Sequence, residues 1–409
     1  MRYIYDRLKR SAFGRKYLTD GAFVNFLKRV KHFLGRCKRK LKSMLLRDKH
    51  VDNILNILQQ YLVQESTNPE TLTEEIDIIV PIYNGYDYLV KLFEDLLKTS
   101  MKCRIILVDD KSTDERVCRL EQEFAQQYSN VIVLENEKNY GFVKSVNQGL
   151  SIARNHVALV NTDTELPEGW LERLMYPILH DDKIASATPY TNSATIFSFP
   201  NFCYNNQIYW GKSVDTLDSY FRMVQPRYVE VPTGVGFCMG LSKHAIEKVG
   251  ILDYETFDRG FGEENDWCQR AIKKGFKNVQ VENLFIYHKH GGSFLSDEKE
   301  QLIQKHLAKL NKRFPTYDYQ INTFIRKDPN KKLRQFLEML IDTHEVKSIL
   351  YFDHSLGGGA TSYLNTKKEE FLREPCCVSV VRYCIESNNY RFLFDNGSVQ
   401  LAYEFQTLS

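Results

Sequence analysis

The sequence predicts an α/β protein built on an open, mostly parallel sheet flanked by helices. Three observations predict it. Strands and helices alternate from about 75 to 165, the strands are unbroken apolar runs, and polar or acidic residues gather where those runs end. A parallel strand covered by crossover helices on both faces is apolar along its whole length. Short strand–helix connections then enforce right-handed crossovers.

The elements follow in order. IDIIVPIYN is the first buried strand, stopped by Pro81 and the polar Asn84-Gly85, and DYLVKLFEDLLKTS is its helix. CRIILVDDKSTD is a strand ending in acidic residues, followed by the helix VCRLEQEFAQQY. NVIVLENE is a third strand, VKSVNQGLSIAR a helix, and HVALVNTDTEL a fourth strand. From about 170 to 300 the pattern loosens into aromatic and glycine-containing loops, expected to form a substrate-binding half, closed by the helix QLIQKHLAKLNKRF. A boundary falls near DPNKK, at 328–332. Beyond it come the helix LRQFLEMLIDTHE, the strand KSILYFDHS, a glycine turn into GGGATSYLNTKKEEF, and three more strands. The expected division is therefore a basic helical segment at 1–72, the main domain at 73–327, and a partial C-terminal α/β unit at 328–409.

The chain has 409 residues, 43% hydrophobic and 26% charged, which suits two or three globular domains. Its nine cysteines form no CxxC pair, so a zinc ribbon or thiol redox centre is not expected, and reduced cysteines inside apolar runs point to a cytoplasmic setting. MRYIYDRLKR lacks the apolar core of a secretory leader, and no run of about 18 apolar residues occurs. Residues 1–50 hold 16 Lys/Arg against 3 Asp/Glu although the whole chain is only +3. Phe23, Phe26, Leu27, Val30, Phe33 and Leu34 recur there at helical spacing, with HVDNILNILQQYLVQES a further helix at 50–66. A basic amphipathic helix suits the anionic inner face of a membrane. It also suits a solvated arm. Nucleic acid is not expected, because no nucleic-acid motif accompanies the charge.

In open α/β sheets ligands bind beyond the carboxyl ends of the strands, and four clusters stand in that part of the pattern. In VDDKSTD, Asp109 and Asp110 suit hydrogen bonds to a nucleobase and a ribose, or the N-terminus of the next helix. In LVNTDTELPEGW, Asp163 suits a hard cation, assisted by Asn161 or Glu165. In FGEENDWCQRA, Glu263, Glu264 and Asp266 crowd a helix start, where like charges and burial raise carboxyl pKa values toward those of a usable base. Phe261, Gly262 and Trp267 wall that cluster. In FIYHKHGGSF, His288 or His290 is a further metal-side group before a Gly-Gly turn.

The stretch 76–292 resembles the family 2 glycosyltransferases of the GT-A fold. Seven segments carry the resemblance: IVPIYN (79–84), VDDKSTD (108–114), NYGFVKSVNQG (139–149), LVNTDTELPEGW (159–170), VPTGVGFCMGLSKHAIEKVG (231–250), FGEENDWCQRA (261–271) and YHKHGG (287–292). The resemblance implies a nucleotide pocket lined by Pro81, Tyr83, Asn84, Asp109 or Asp110, Asn139, Gly141 and Asn147. It aligns the family's DxD with Asn161, Thr162 and Asp163, so an asparagine stands at the first position. Asp163 and His288 would meet Mn²⁺ or Mg²⁺, with Glu165 nearby. Glu264 falls at the catalytic base, where the family has aspartate, leaving Asp266 as rival beside Glu263. Thr233, Gly234 and Trp267 are expected on the acceptor side, with Tyr190 and Asn192 as weaker candidates. The implied reaction is inverting transfer from a nucleotide diphosphate sugar to a glycan or lipid-linked acceptor in surface polysaccharide synthesis. SILYFDHSLGGGATSYLN resembles the first strand and glycine loop of GT-B glycosyltransferases. A nucleotidyltransferase would want a basic, glycine-rich loop after the first strand, and a dehydrogenase a GxGxxG. PIYNGYDYL has neither. An inactive sugar-nucleotide-binding module is the remaining alternative.

Overall fold

The computed structural model describes residues 74–258, 260–289, 297–385, 387–398 and 400–406. The expectations for the basic segment, for the helix at 50–66 and for His290 lie outside the described residues. Two compact units are formed, one over Glu70–Asn330 and one that includes Lys331–Ser409.

In the larger unit β1 (Ile76–Ile82), α1 (Tyr86–Leu96), β2 (Cys103–Asp109), α2 (Glu115–Gln127), β3 (Val131–Glu135), α3 (Phe142–Ile152) and β4 (His156–Val160) alternate as the sequence predicts. The fourth expected strand ends at Val160, and its remainder turns into the short β5 (Thr164–Glu165). Then come α4 (Trp170–His180), β6 (Ile184–Tyr190), α5 (Val214–Phe221), β7 (Tyr228–Val231), β8 (Cys238–Leu241), α6 (Lys243–Val249), α7 (Tyr254–Phe257), α8 (Glu263–Lys273), β9 (Lys277–Phe285) and β10 (Tyr287–His288). The helices α9 (Asp297–Arg313) and α10 (Tyr317–Lys327) close the unit.

Eight strands form one sheet in the order β3-β2-β1-β4-β8-β6-β9-β7. The first four are mutually parallel; β8 runs antiparallel to β4 and β6, and β7 antiparallel to β9. Strand order reverses between β1 and β4, so the crevice past their carboxyl ends is the switch point where such sheets bind ligands.

Side chains of β1 divide between two layers, as a period of two requires. Ile78, Val80 and Ile82 pack with Leu89, Leu92 and Phe93 of α1, whereas Ile79 packs with Val143, Val146 and Leu150 of α3. Gly149 permits the second contact, because a Cβ there would lie 2.6 Å from Ile79 Cγ2. At the base of the sheet Asp77 is fully buried and held bidentately by Arg104, at 2.7 and 2.9 Å.

The second unit holds α11 (Lys331–Glu345), β11 (Lys347–His354), α12 (Gly359–Phe371), β12 (Cys376–Cys384), β13 (Asn389–Asp395) and β14 (Gln400–Gln406). Its sheet runs β11-β12-β13-β14, with the first pair parallel and the rest antiparallel hairpins. Asp353, near the end of β11, is paired with Arg382 at 3.1 Å. Gly357 and Gly358, at φ 72° and 94°, then lead into α12.

Candidate active site

The loop after β1 is buckled to the loop after β2. Asn84, in the left-handed region at φ 57°, accepts from the Thr113 and Asp114 N–H groups at 2.8 and 3.0 Å, and its own N–H donates to Ser112 Oγ at 2.8 Å. Asp109 caps the same loop by accepting from the Ser112 N–H at 3.0 Å. Asp110 is buried, and its carboxylate accepts from Asn136 Nδ2 (2.7 Å), the Tyr140 N–H (2.8 Å) and the Gly141 N–H (2.7 Å). It thereby clasps the loop that begins α3, where Gly141 sits at φ 89°. Tyr83 and Asn139 are exposed at this rim and Pro81 is half-buried. Asn147 is turned to another task, exchanging two hydrogen bonds with the Leu252 backbone at 2.9 and 3.0 Å.

Past β4 the chain turns through Asn161, Thr162 and Asp163 into β5, which pairs antiparallel with β10. That two-strand ladder places His288 Nε2 3.3 Å from Asp163 Oδ2. The His288 ring stacks on Phe237, with centroids 5.2 Å apart. Glu165, expected near the cation, is bonded instead to Lys289 Nζ at 2.7 Å. Asn161 Oδ1 is shielded from solvent without a hydrogen-bond partner among the described residues. No group of three His, Cys, Asp or Glu able to hold a metal occurs among the described residues. A hard cation that keeps waters and substrate oxygens needs only one or two protein donors. The carboxylate and imidazole pair, with an unused amide oxygen two residues away, therefore fits one.

The acidic cluster lies at the start of α8, entered through Gly260 and Gly262 at φ 98° and 140°. Glu263 is buried and accepts from the Gly262 N–H at 3.0 Å. Glu264 is half-buried, and its Oε2 is shielded with no hydrogen-bond partner among the described residues. Burial, with the neighbouring Glu264 charge, pushes Glu263 well above the ordinary glutamate range. Burial also raises Glu264, opposed by hydrogen bonds that favour its ionised form, among them those from the Gly236 and Gly262 backbone. Asp266 is in a different position. It is fully buried and bonded to Arg270 Nε at 2.7 Å and to Arg313 Nη1 at 2.5 Å. Arg313 also reaches Asp253 at 2.8 Å, closing α9 over α8. Trp267, expected on the acceptor side, is a core residue whose Nε1 donates to the Gly250 carbonyl at 2.8 Å.

The loop 232–237 brings the two clusters into one site. Thr233 Oγ1 donates to Asn265 Oδ1 at 2.7 Å, and the Gly234 N–H donates to Cys268 Sγ at 3.2 Å. The Gly236 N–H serves Glu264, and the Phe237 carbonyl accepts from the Asn161 N–H at 2.9 Å. Its glycine alternation, TGVG, is the signal sequence reading can find. A Cβ on Gly234 would sit 2.8 Å from Met239 Cε and 2.9 Å from Thr188 Oγ1. Burial pushes the Cys268 thiol up to about 12, so it is a packing group and no nucleophile. Sequence reasoning missed Tyr317, whose buried phenol is raised first by burial and then by the Glu264 charge, and which hydrogen-bonds Thr233. Nothing local in YDYQINTFIRK marks that role.

The open sheet thus carries, past its switch point, an Asp–His pair and a carboxylate pair linked through the loop 232–237. Residues 77–250 match the family model for glycosyl transferase family 2, and the chain carries a glycosyltransferase domain of that family. It is 36% identical over 115 residues to Glycosyltransferase GlyG of Streptococcus pneumoniae serotype 4, covering 27% of this chain and 37% of that protein. It is 30% identical over 114 residues to the minor teichoic acid biosynthesis protein GgaB of Bacillus subtilis, covering 26% of this chain and 12% of that one. The aligned stretches thus span about a third of GlyG and about an eighth of GgaB. Among solved structures, a mannosyltransferase from Pyrobaculum calidifontis in complex with GDP-Man and Mn2+ is similar at a TM-score of 0.46 and 11% identity, over 86% of this chain and 90% of that one. Among the described residues no helix is long and apolar enough to cross a membrane.

Proposed function

We propose that this chain transfers a sugar from a nucleotide diphosphate donor to a hydroxyl of a glycan or lipid-linked glycan, with inversion, in the assembly of a surface polysaccharide. The observation that supports this most is the 232–237 loop, which joins the Asp163–His288 pair to Glu264 through backbone contacts. Asp163 and His288 would hold Mn²⁺ or Mg²⁺, which supplies charge neutralisation for the departing diphosphate.

Glu264 takes the proton of the acceptor hydroxyl. The acceptor oxygen then bonds to the anomeric carbon, and the bond to the diphosphate oxygen breaks with its electron pair leaving on the nucleotide. Glu263, buried behind it, keeps its proton and leaves the negative charge on Glu264. Asp266 holds the helix in place through Arg270 and Arg313. The loops clasped by Asn84 and Asp110 shape the nucleotide wall. In this reading 73–327 is the catalytic domain, 328–409 is a separate α/β unit with a GT-B-like glycine loop, and the basic residues 1–50 draw the chain to an anionic inner leaflet. The teichoic acid relative supports the polysaccharide setting.

The test is a screen of purified chain against uridine-, thymidine- and guanosine-linked sugars with Mn²⁺ or with EDTA. Wild type runs beside Glu264→Gln and Asp163→Ala. We expect metal-dependent release of one nucleoside diphosphate, reduced about 10²–10⁴-fold by Glu264→Gln, the range for loss of a general base. Full turnover by Glu264→Gln overturns the base assignment, and activity that survives EDTA and Asp163→Ala overturns the metal assignment.

A further inference from the structure

The segment 199–212, PNFCYNNQIYWGK preceded by Phe199, takes no part in the chemistry above, yet it is tied to the strand that carries His288. The tie is Asn192, a buried amide. It accepts from the His288 N–H at 2.9 Å and donates back to the His288 carbonyl at 3.1 Å. The same Nδ2 reaches the Asn206 carbonyl at 3.3 Å, and the Asn206 N–H donates to the Asn192 carbonyl at 3.1 Å. Asn206 then folds the loop on itself, donating to the Asn201 carbonyl at 2.9 Å while Asn201 Nδ2 donates to Asn206 Oδ1 at 3.0 Å. At its root Phe199 is buried against Phe221 and Tyr209, with centroids 5.2 and 5.6 Å away.

What this scaffold holds out to solvent is aromatic. Tyr204 is 69% exposed, and Trp210, tilted against Tyr209 with ring centroids 5.7 Å apart, is 44% exposed. A singly exposed aromatic is ordinary on a protein surface; here two stand on one loop that a frame of amide hydrogen bonds holds in place. The backbone sharpens the point. Cys203 and Trp210 both sit in the left-handed region, at φ 62° and 53°, which bulky residues rarely enter and which clusters at ligand clamps. Between Pro200 and Lys212 there is no acidic residue and only that one lysine, so the surface suits a neutral ligand rather than a phosphate. Flat rings beside amide groups match the chemistry of a sugar, whose ring presents an apolar C–H face and a rim of hydroxyls.

We propose that the loop 199–212 is a glycan-binding platform on the acceptor side, where a neutral sugar ring stacks on Tyr204 and Trp210 and is held in register with His288 by Asn192. The proposal rests on the transferase reading above and names the acceptor class for that site.

The protein supplies its own probe. Of its three tryptophans Trp170 and Trp267 are 0% and 1% exposed, so emission that responds to a sugar comes from Trp210. Full-length chain is titrated with neutral oligosaccharides ending in hexose, N-acetylhexosamine or 6-deoxyhexose, and nucleoside diphosphate binding is measured by calorimetry on the same sample. A saturable change in emission is expected from at least one sugar class, with binding weakened about ten-fold by Tyr204→Ala, the loss of roughly one stacking contact. In transfer assays Trp210→Ala should raise acceptor KM by a similar factor and Trp210→Phe should restore it. Nucleotide binding without a response to any sugar overturns the platform alone. Failure of nucleotide binding overturns the transferase reading, whatever the sugars do. Self-association that Tyr204→Ala and Trp210→Ala abolish, again without a sugar response, makes the surface a protein interface and overturns the platform.

Discussion

Replacing Asp110 by asparagine separates two roles that the same carboxylate can play at the end of β2. If it faces the nucleotide, the change removes a ligand contact and leaves the fold intact. If it is a clasp, the fold itself must weaken. The geometry favours the clasp, because its oxygens already accept from Asn136 Nδ2, the Tyr140 N–H and the Gly141 N–H at 2.7, 2.8 and 2.7 Å.

The magnitude follows from those three bonds. An asparagine oriented to keep two of them at Oδ1 turns its NH₂ toward the Gly141 N–H, donor against donor. A buried donor left unsatisfied costs about 1–3 kcal/mol, and the two remaining bonds each lose about 1 kcal/mol of charge assistance. The sum is about 3–5 kcal/mol, which at about 2–4 °C per kcal/mol for a unit of this size lowers Tm by roughly 10 °C. Differential scanning fluorimetry of the full chain, with and without nucleoside diphosphate, reads both quantities. An Asp110→Asn protein with Tm within about 2 °C of wild type that no longer binds nucleotide would refute the clasp and put the carboxylate on the ligand.

Two further outcomes are expected. Glu263 is raised by burial and by the Glu264 charge, so the folded protein keeps a proton that the unfolded chain sheds above the ordinary glutamate range. Its contribution is full below that range and lost as pH rises through the raised value. Glu263→Gln should therefore match wild-type Tm near pH 5 and exceed it near pH 8; a gain of equal size at both pH values would show that no proton is linked there. Gly234→Ala should cost about 1–3 kcal/mol, because its Cβ meets Met239 Cε and Thr188 Oγ1 at 2.8 and 2.9 Å. Gly236→Ala, whose nearest neighbour is Phe142 Cζ at 3.5 Å, should cost less, and equal melting shifts for the two variants would defeat the packing argument.

The parallel half of the sheet was legible in the sequence because burial on both faces leaves a one-dimensional mark. IIV (78–80), IILV (105–108) and VALV (157–160) are continuous apolar runs, and they lie within β1, β2 and β4. The antiparallel half left no such mark. β7 and β8 are four-residue strands whose places depend on pairing with β9, β4 and β6, partners distant in the chain. Residue chemistry was legible at the site, but not which atoms were already engaged. Asp110 and Asn84 carry groups that suit a nucleotide, yet both spend them on neighbouring loops. Trp267 and Asn147 fall within matched segments and serve packing and a backbone clasp. Tyr317 reaches Thr233 across more than eighty residues of chain, a proximity only the fold creates.

The loop 232–237 has a consequence for how the two halves of the site behave. Asn161 and the ring-stacked His288 meet it at Phe237, and Glu264 and Asn265 meet it at Gly236 and Thr233. These contacts lie within five consecutive residues packed on buried Met239 and Cys268. A loop so short and so packed cannot shift at one end without moving the other. Glu264 and the Asp163–His288 pair are therefore tied to one backbone segment, and in the proposed reaction a small displacement of either would cost rate steeply. Substitutions in this loop should then change turnover for donor and acceptor together. Those at the Asp110 clasp should act chiefly through the stability of the fold, because that carboxylate is already engaged by Asn136, Tyr140 and Gly141.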